Sequence, residues 1–149
     1  HVYATRPLLC VLRTFATPAR VGVSQVRFGS RAPATVVAAT NSQVARICVW
    51  SLQGYILANL EMPEGLSIKS LQLIDDSDTQ EALLCACSFG TWQLLALPYL
   101  DKLWQVPCHQ GAKPSVFSTS RSRRLAWLGL ADGTFEAAYV RGSASTTSP

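Results

Sequence analysis

The sequence predicts an all-β protein built from repeated antiparallel, four-stranded units. Three observations carry that expectation. Short runs rich in β-branched and aromatic residues recur along the chain, while no segment sustains the i, i+3, i+4, i+7 apolar spacing of a helix. The runs are separated by turn chemistry, above all Gln53-Gly54, Phe89-Gly90-Thr91 and Ala131-Asp132-Gly133-Thr134, because glycine tolerates the positive φ that tight hairpins require. The pattern also repeats: Tyr3, Trp50, Ala96 and Tyr139 recur at intervals of 47, 46 and 43 residues.

Read forward, the expected strands begin with Val2–Thr5 and Cys10–Phe15. Four more follow, Ser24–Phe28, Thr35–Ala39, Arg46–Ser51 and Tyr55–Leu60. The next four are Ile68–Leu73, Leu83–Ser88, Trp92–Leu97 and Leu103–Val106, and the last three are Ser115–Thr119, Leu125–Leu130 and Phe135–Val140. Alternation supports the strand reading: Val26 and Phe28 share one face of their run with Gln25 and Arg27 on the other, and Leu71 and Leu73 bracket Gln72. Four strands in a period of forty-odd residues is the signature of a propeller blade. The units are two strands, two complete sets of four, and three, a little over three blades.

Particular residues resemble WD-repeat proteins. Arg46-Ile-Cys-Val-Trp-Ser-Leu-Gln-Gly-Tyr55 is similar to the third strand of such a repeat, with Val49-Trp50-Ser51 where the motif has Val-Trp-Asp. Ala131-Asp132-Gly133-Thr134-Phe135 resembles the turn between its second and third strands, and Leu9–Phe15 the outer strand that follows the motif. Within that family, Trp50–Asn59 and the final Ala-Asp-Gly-Thr-Phe unit are similar to the C-terminal propellers of BEACH-domain proteins, intracellular scaffolds linked to vesicle traffic. The resemblance implies antiparallel blades of a partial WD-repeat-like β-propeller over residues 1–141, acting through protein partners and completed by the remaining blades of a longer chain. Residues 142–149, Gly-Ser-Ala-Ser-Thr-Thr-Ser-Pro, are expected to form a disordered polar tail.

Composition narrows the function classes. The chain is 48% hydrophobic and only 15% charged, too apolar for general disorder. It has no run of about 18 apolar residues that would cross a membrane as a helix. Five cysteines among apolar neighbours, an odd number without disulfide-scaffold spacing, point to a reducing, cytoplasmic setting, with a location peripheral to membranes also compatible. The net charge of +4 comes from scattered basic residues, so no nucleic-acid partner is expected.

The groups that might carry chemistry read mostly as structure. Cys85-Ala86-Cys87, with Cys108-His109 further on, offers metal-ligand types, but Cys-x-Cys is shorter than zinc spacing, and on a strand both thiols face one core. His1 and His109 are the only histidines, and no nucleophile elbow accompanies them. We therefore expect no enzyme, no metal and no cofactor. Trp50, Trp92, Trp104 and Trp127 lie in strand runs, where inter-blade packing is the expected role. Two loops remain as contact surfaces. Arg121, Arg123 and Arg124 form the one basic cluster, on an expected hairpin tip suited to phosphoinositide headgroups, an anionic membrane or an acidic protein segment. Asp75, Asp76 and Asp78 make an acidic loop that reads as a solvated hairpin between strands and as the second candidate contact surface.

Overall fold

A computed structural model of the chain describes residues 14–18, 21–29, 34–75, 81–108, 114–119 and 125–139. Among these are eleven strands in three antiparallel sheets. The first sheet holds β1 (Val23–Gly29), β2 (Thr35–Asn41), β3 (Ala45–Ser51) and β4 (Ile56–Glu61). The second holds β5 (Ile68–Asp75), β6 (Glu81–Cys87), β7 (Thr91–Ala96) and β8 (Asp101–Pro107). The third holds β9 (Pro114–Thr119), β10 (Leu125–Leu130) and β11 (Phe135–Tyr139). Within each sheet the strands pair in chain order as a meander. All eleven correspond to runs expected from the sequence, and the repeated anchors Trp50, Ala96 and Tyr139 each fall on the third strand of a sheet. The expected strand Val2–Thr5 lies outside the described residues; the described end of the second run, Thr14 and Phe15, is in no strand.

The hairpins follow from local chemistry. The β6–β7 and β10–β11 turns share one geometry: Gly90 N–H donates to Cys87 C=O, and Gly133 N–H to Leu130 C=O, each at 3.1 Å. Both glycines sit at positive φ, 70° and 88°, a region that costs a residue with a Cβ but not glycine. Asp132 reinforces the second turn by accepting from the Thr134 N–H and hydroxyl at 2.9 and 2.7 Å.

Successive sheets stack face to face, with the first strand of the second sheet, β5, approaching β1 on one side and β9 on the other. Between the first and second sheets lies a core that includes Val37, Ile47 and Val49 on one side and Leu71, Leu83 and Leu95 on the other. The opposite face of the second sheet packs Ile74, Leu84, Trp92 and Leu94 against Leu130 of the third. β6 lies in the middle of the stack, and all seven of its residues are buried.

Polar side chains also join the first two sheets. Asn41 of β2 accepts from Ile68 N–H at 2.8 Å and donates to Ile68 C=O at 2.7 Å. Gln25 of β1 donates to Lys69 C=O at 3.0 Å and accepts from Leu71 N–H at 2.9 Å. These two amides satisfy main-chain groups on the edge of β5 that no strand of its own sheet pairs.

The alternation in β1 is as expected, but its burial runs the other way. Val26 and Phe28 do share one face, yet both are exposed, while Gln25 and Arg27 are half-buried. The register explains it. Val26 and Phe28 pair with Ala38 and Val36 on the side of the first sheet that faces away from the second, and Gln25 turns toward β5.

Candidate interaction surfaces

The two loops singled out in the sequence fall largely outside the described residues. Asp75 ends β5, where its backbone pairs with Glu81; Asp76, Asp78, Arg121, Arg123 and Arg124 lie outside the described residues. The described surface offers instead two shallow cavities and two open sheet faces.

One cavity, about 280 Å³, is walled by the β2–β3 hairpin residues Ser42, Gln43 and Val44 together with Val21 and Arg46. The other, about 200 Å³, lies between the last strand of the first sheet and the last two strands of the second. Its mouth carries Glu61, Lys102 and Gln105, and its floor Leu60, Met62 and Leu95. An apolar floor with a mixed-charge rim suits an inserted side chain of a protein partner better than a small polar metabolite. Glu61 is already engaged by Arg46 at 2.6 Å, which leaves Lys102 to set the charge of that mouth.

The cysteines behave as core. Cys85 and Cys87 point to the same face of β6, as their spacing predicts, and their sulfurs lie 3.6 Å apart in the core between the first two sheets. Their shared hydrogen bond, and then burial, hold the Cys85 thiol well above its ordinary pKa. Burial pushes Cys108 up to about 11, with the Glu136 carboxylate adding to the shift. Burial also raises Cys48, opposed by the Arg46 guanidinium, and the Cys48 thiol donates to Asn59 at 3.4 Å. Thiols held neutral in this way are poor nucleophiles and poor metal ligands. Among the described residues no three His, Cys, Asp or Glu side chains gather into a metal-holding group.

The tryptophans divide. Trp50 is buried against Ala38 and Cys48, with the Phe15 ring tilted over it at 6.0 Å. Trp92 is buried between the second and third sheets, and Trp104 packs half-buried beside it. Trp127 departs from the expected inter-blade role: it stands exposed on the far face of the third sheet, its ring 6.1 Å from that of Phe135.

No protein-family model matches the sequence, and no curated protein is significantly similar to it. Solved structures are. The chain aligns over 80% of its length with the C-terminal WD40 domain of Sif2, at 16% identity and a TM-score of 0.62. It also aligns over 81% with the computationally designed proteins Ika4 and Ika8, at 17% identity and TM-scores of 0.60 and 0.58. The fold is a WD40-like β-propeller. The chain spans about a third of the Sif2 and Ika8 chains, 34% of each, and 68% of Ika4. Among the described residues no helix is long and apolar enough to cross a membrane.

Proposed function

We propose that the chain is a non-catalytic protein-interaction scaffold, its blades presenting hairpins and inter-blade grooves to protein partners. The WD40-like stacking of the sheets carries the reading. A rigid core filled by apolar side chains holds the surface loops in fixed positions, and loops on a rigid β frame are where recognition residues concentrate. The groove at Lys102 and Gln105 is the first contact surface under this proposal, with the basic cluster Arg121, Arg123 and Arg124 and the acidic residues Asp75, Asp76 and Asp78 as the others. In this reading residues 1–141 belong to the propeller and residues 142–149 to a polar tail. The protein acts in the cytoplasm, and the likeness of Trp50–Asn59 to BEACH-protein propellers supports a role in membrane traffic.

A photo-crosslinking amino acid placed at Gln105 and, separately, at Arg123 tests the proposal in cells. A discrete protein adduct from either position, lost with Lys102→Glu or Arg124→Glu respectively, is the expected result. The absence of any protein adduct from both positions overturns it.

The Arg121-Ser-Arg-Arg124 cluster supports a second reading, an anionic-membrane module. In that case the chain co-sediments with vesicles containing phosphatidylinositol phosphate and not with neutral vesicles, and Arg123→Glu abolishes the binding.

A further inference from the structure

The groove between the first and second sheets holds a buried polar group that the fold itself does not use. One row of side chains crosses the second sheet from Leu71 through Cys85 and Gln93 to Gln105, each residue paired with the next. Residues paired across antiparallel strands share a face, and Leu71 and Cys85 place this face in the core against the first sheet. Gln93 thus puts an amide where the row is otherwise apolar, 7% exposed and on the wall of the groove. Among the described residues its side chain has no hydrogen-bond partner. A buried amide left unpaired is costly unless a ligand completes it.

A primary amide carries a donor and an acceptor side by side, the same pair that a peptide main chain presents. This chain uses that match twice. Asn41 takes the N–H and C=O of Ile68, and Gln25 the Lys69 C=O and the Leu71 N–H, both on the edge of β5. Gln93 and Gln105, neighbours across β7 and β8, offer the same groups to the groove.

The other walls define the rest of the occupant. Leu60 and Met62 from one side and Leu95 and Leu100 from the other make the floor apolar. At the mouth Glu61 is bound by Arg46, whereas Lys102 makes no ion pair among the described residues, so an acidic group is favoured there. The volume of about 200 Å³ is below the roughly 300–1,000 Å³ of sites that enclose a whole small molecule. It suits one side chain of a longer segment.

We infer that the groove takes an extended acidic peptide of a partner protein. Gln93 clasps one peptide group of its main chain, an adjacent apolar side chain enters between Leu60 and Leu95, and a carboxylate meets Lys102. The clasp repeats on another chain what Asn41 does within this one. The inference rests on the scaffold reading and names the chemistry of the partner.

Panning a random octapeptide library against the 149-residue chain tests it. The expected peptides carry one large apolar residue with Asp or Glu close by, and their affinity, read by fluorescence polarisation, should fall as salt rises. Gln93→Leu, Lys102→Glu, and N-methylation of the peptide bond beside the apolar residue should each weaken binding about tenfold, the equivalent of one hydrogen bond or ion pair. Gln93→Leu should at the same time keep or raise the melting temperature, because it removes an unpaired buried amide; a Gln93 that merely supports the fold would lower it. A library that yields no binder overturns the inference. So do peptides without shared acidity, or peptides that bind both variants as tightly as wild type. Should a protein adduct at Gln105 persist beside such a result, the scaffold reading stands and the peptide chemistry alone falls.

Discussion

The Asn41 side-chain amide binds both main-chain groups of Ile68, 27 residues further on, accepting from its N–H at 2.8 Å and donating to its C=O at 2.7 Å. One amide thereby stands in for a neighbouring strand at the free edge of β5, and Gln25 repeats the device at Lys69 and Leu71. Asn41→Leu leaves a donor and an acceptor unpaired at a blade junction, and unpaired buried main-chain groups cost about 1–3 kcal/mol. The urea midpoint should fall accordingly. Asn41→Asp should fare no better, because a carboxylate can accept from Ile68 N–H but repels its carbonyl oxygen.

Leu84 fills the space between the second and third sheets and is wholly buried. Leu84→Ala is expected to cost about 2–5 kcal/mol, since it removes transfer energy and leaves a cavity. Phe89, on the β6–β7 turn and mostly exposed, is the control: Phe89→Ala should change thermal stability by less than about 0.5 kcal/mol.

The Arg46–Glu61 ion pair joins β3 to β4 at 2.6 Å, with the Glu61 side chain more than half exposed. Solvent screening limits such a pair to about 0–1 kcal/mol. Glu61→Gln should therefore hardly move the denaturation midpoint at physiological salt, and added salt should not distinguish the variant from wild type.

Cys108 sets a pH dependence. Its folded pKa near 11 exceeds the ordinary value of 9.0, so the folded state keeps a proton that the unfolded state releases. Its contribution is fully present below pH 9 and is lost between pH 9 and about 11. Stability should decline across that window, and the decline should be shallower in Cys108→Ala. Alkylation of the folded chain by iodoacetamide at pH 8 should be slow at Cys48, Cys85 and Cys108, and rapid once denaturant exposes them.

Much of the fold is legible in local sequence. Asp132-Gly133 and Phe89-Gly90 announce their turns because few residues tolerate the φ involved, and Cys85 and Cys87 share a face because strand geometry has a period of two. What is not legible depends on partners distant in the chain. Gln25 and Asn41 look like solvent-facing polar positions, and nothing near them signals that each will reach a main-chain edge 27 or more residues away. Trp127 and Val26 look like core by type and alternation, but whether a face is covered depends on the sheet beside it. The basic and acidic loops, chosen for charge, lie largely beyond the described residues. The described groove at Lys102 and Gln105 has no local signature, because its walls come from two sheets.

The all-buried β6 has a consequence for how the molecule comes apart. Its sheet alone, of the three described, packs against a described neighbour on both faces. In a linear array whose energy is a sum of adjacent couplings, the middle unit carries the cooperativity of the whole. A lesion in β6 should split one unfolding transition into separate melting of the two ends, while an equal lesion in β4 or β11 should merely fray its own end. Amide exchange should report the same hierarchy, with Leu83–Ala86 the last protons to leave.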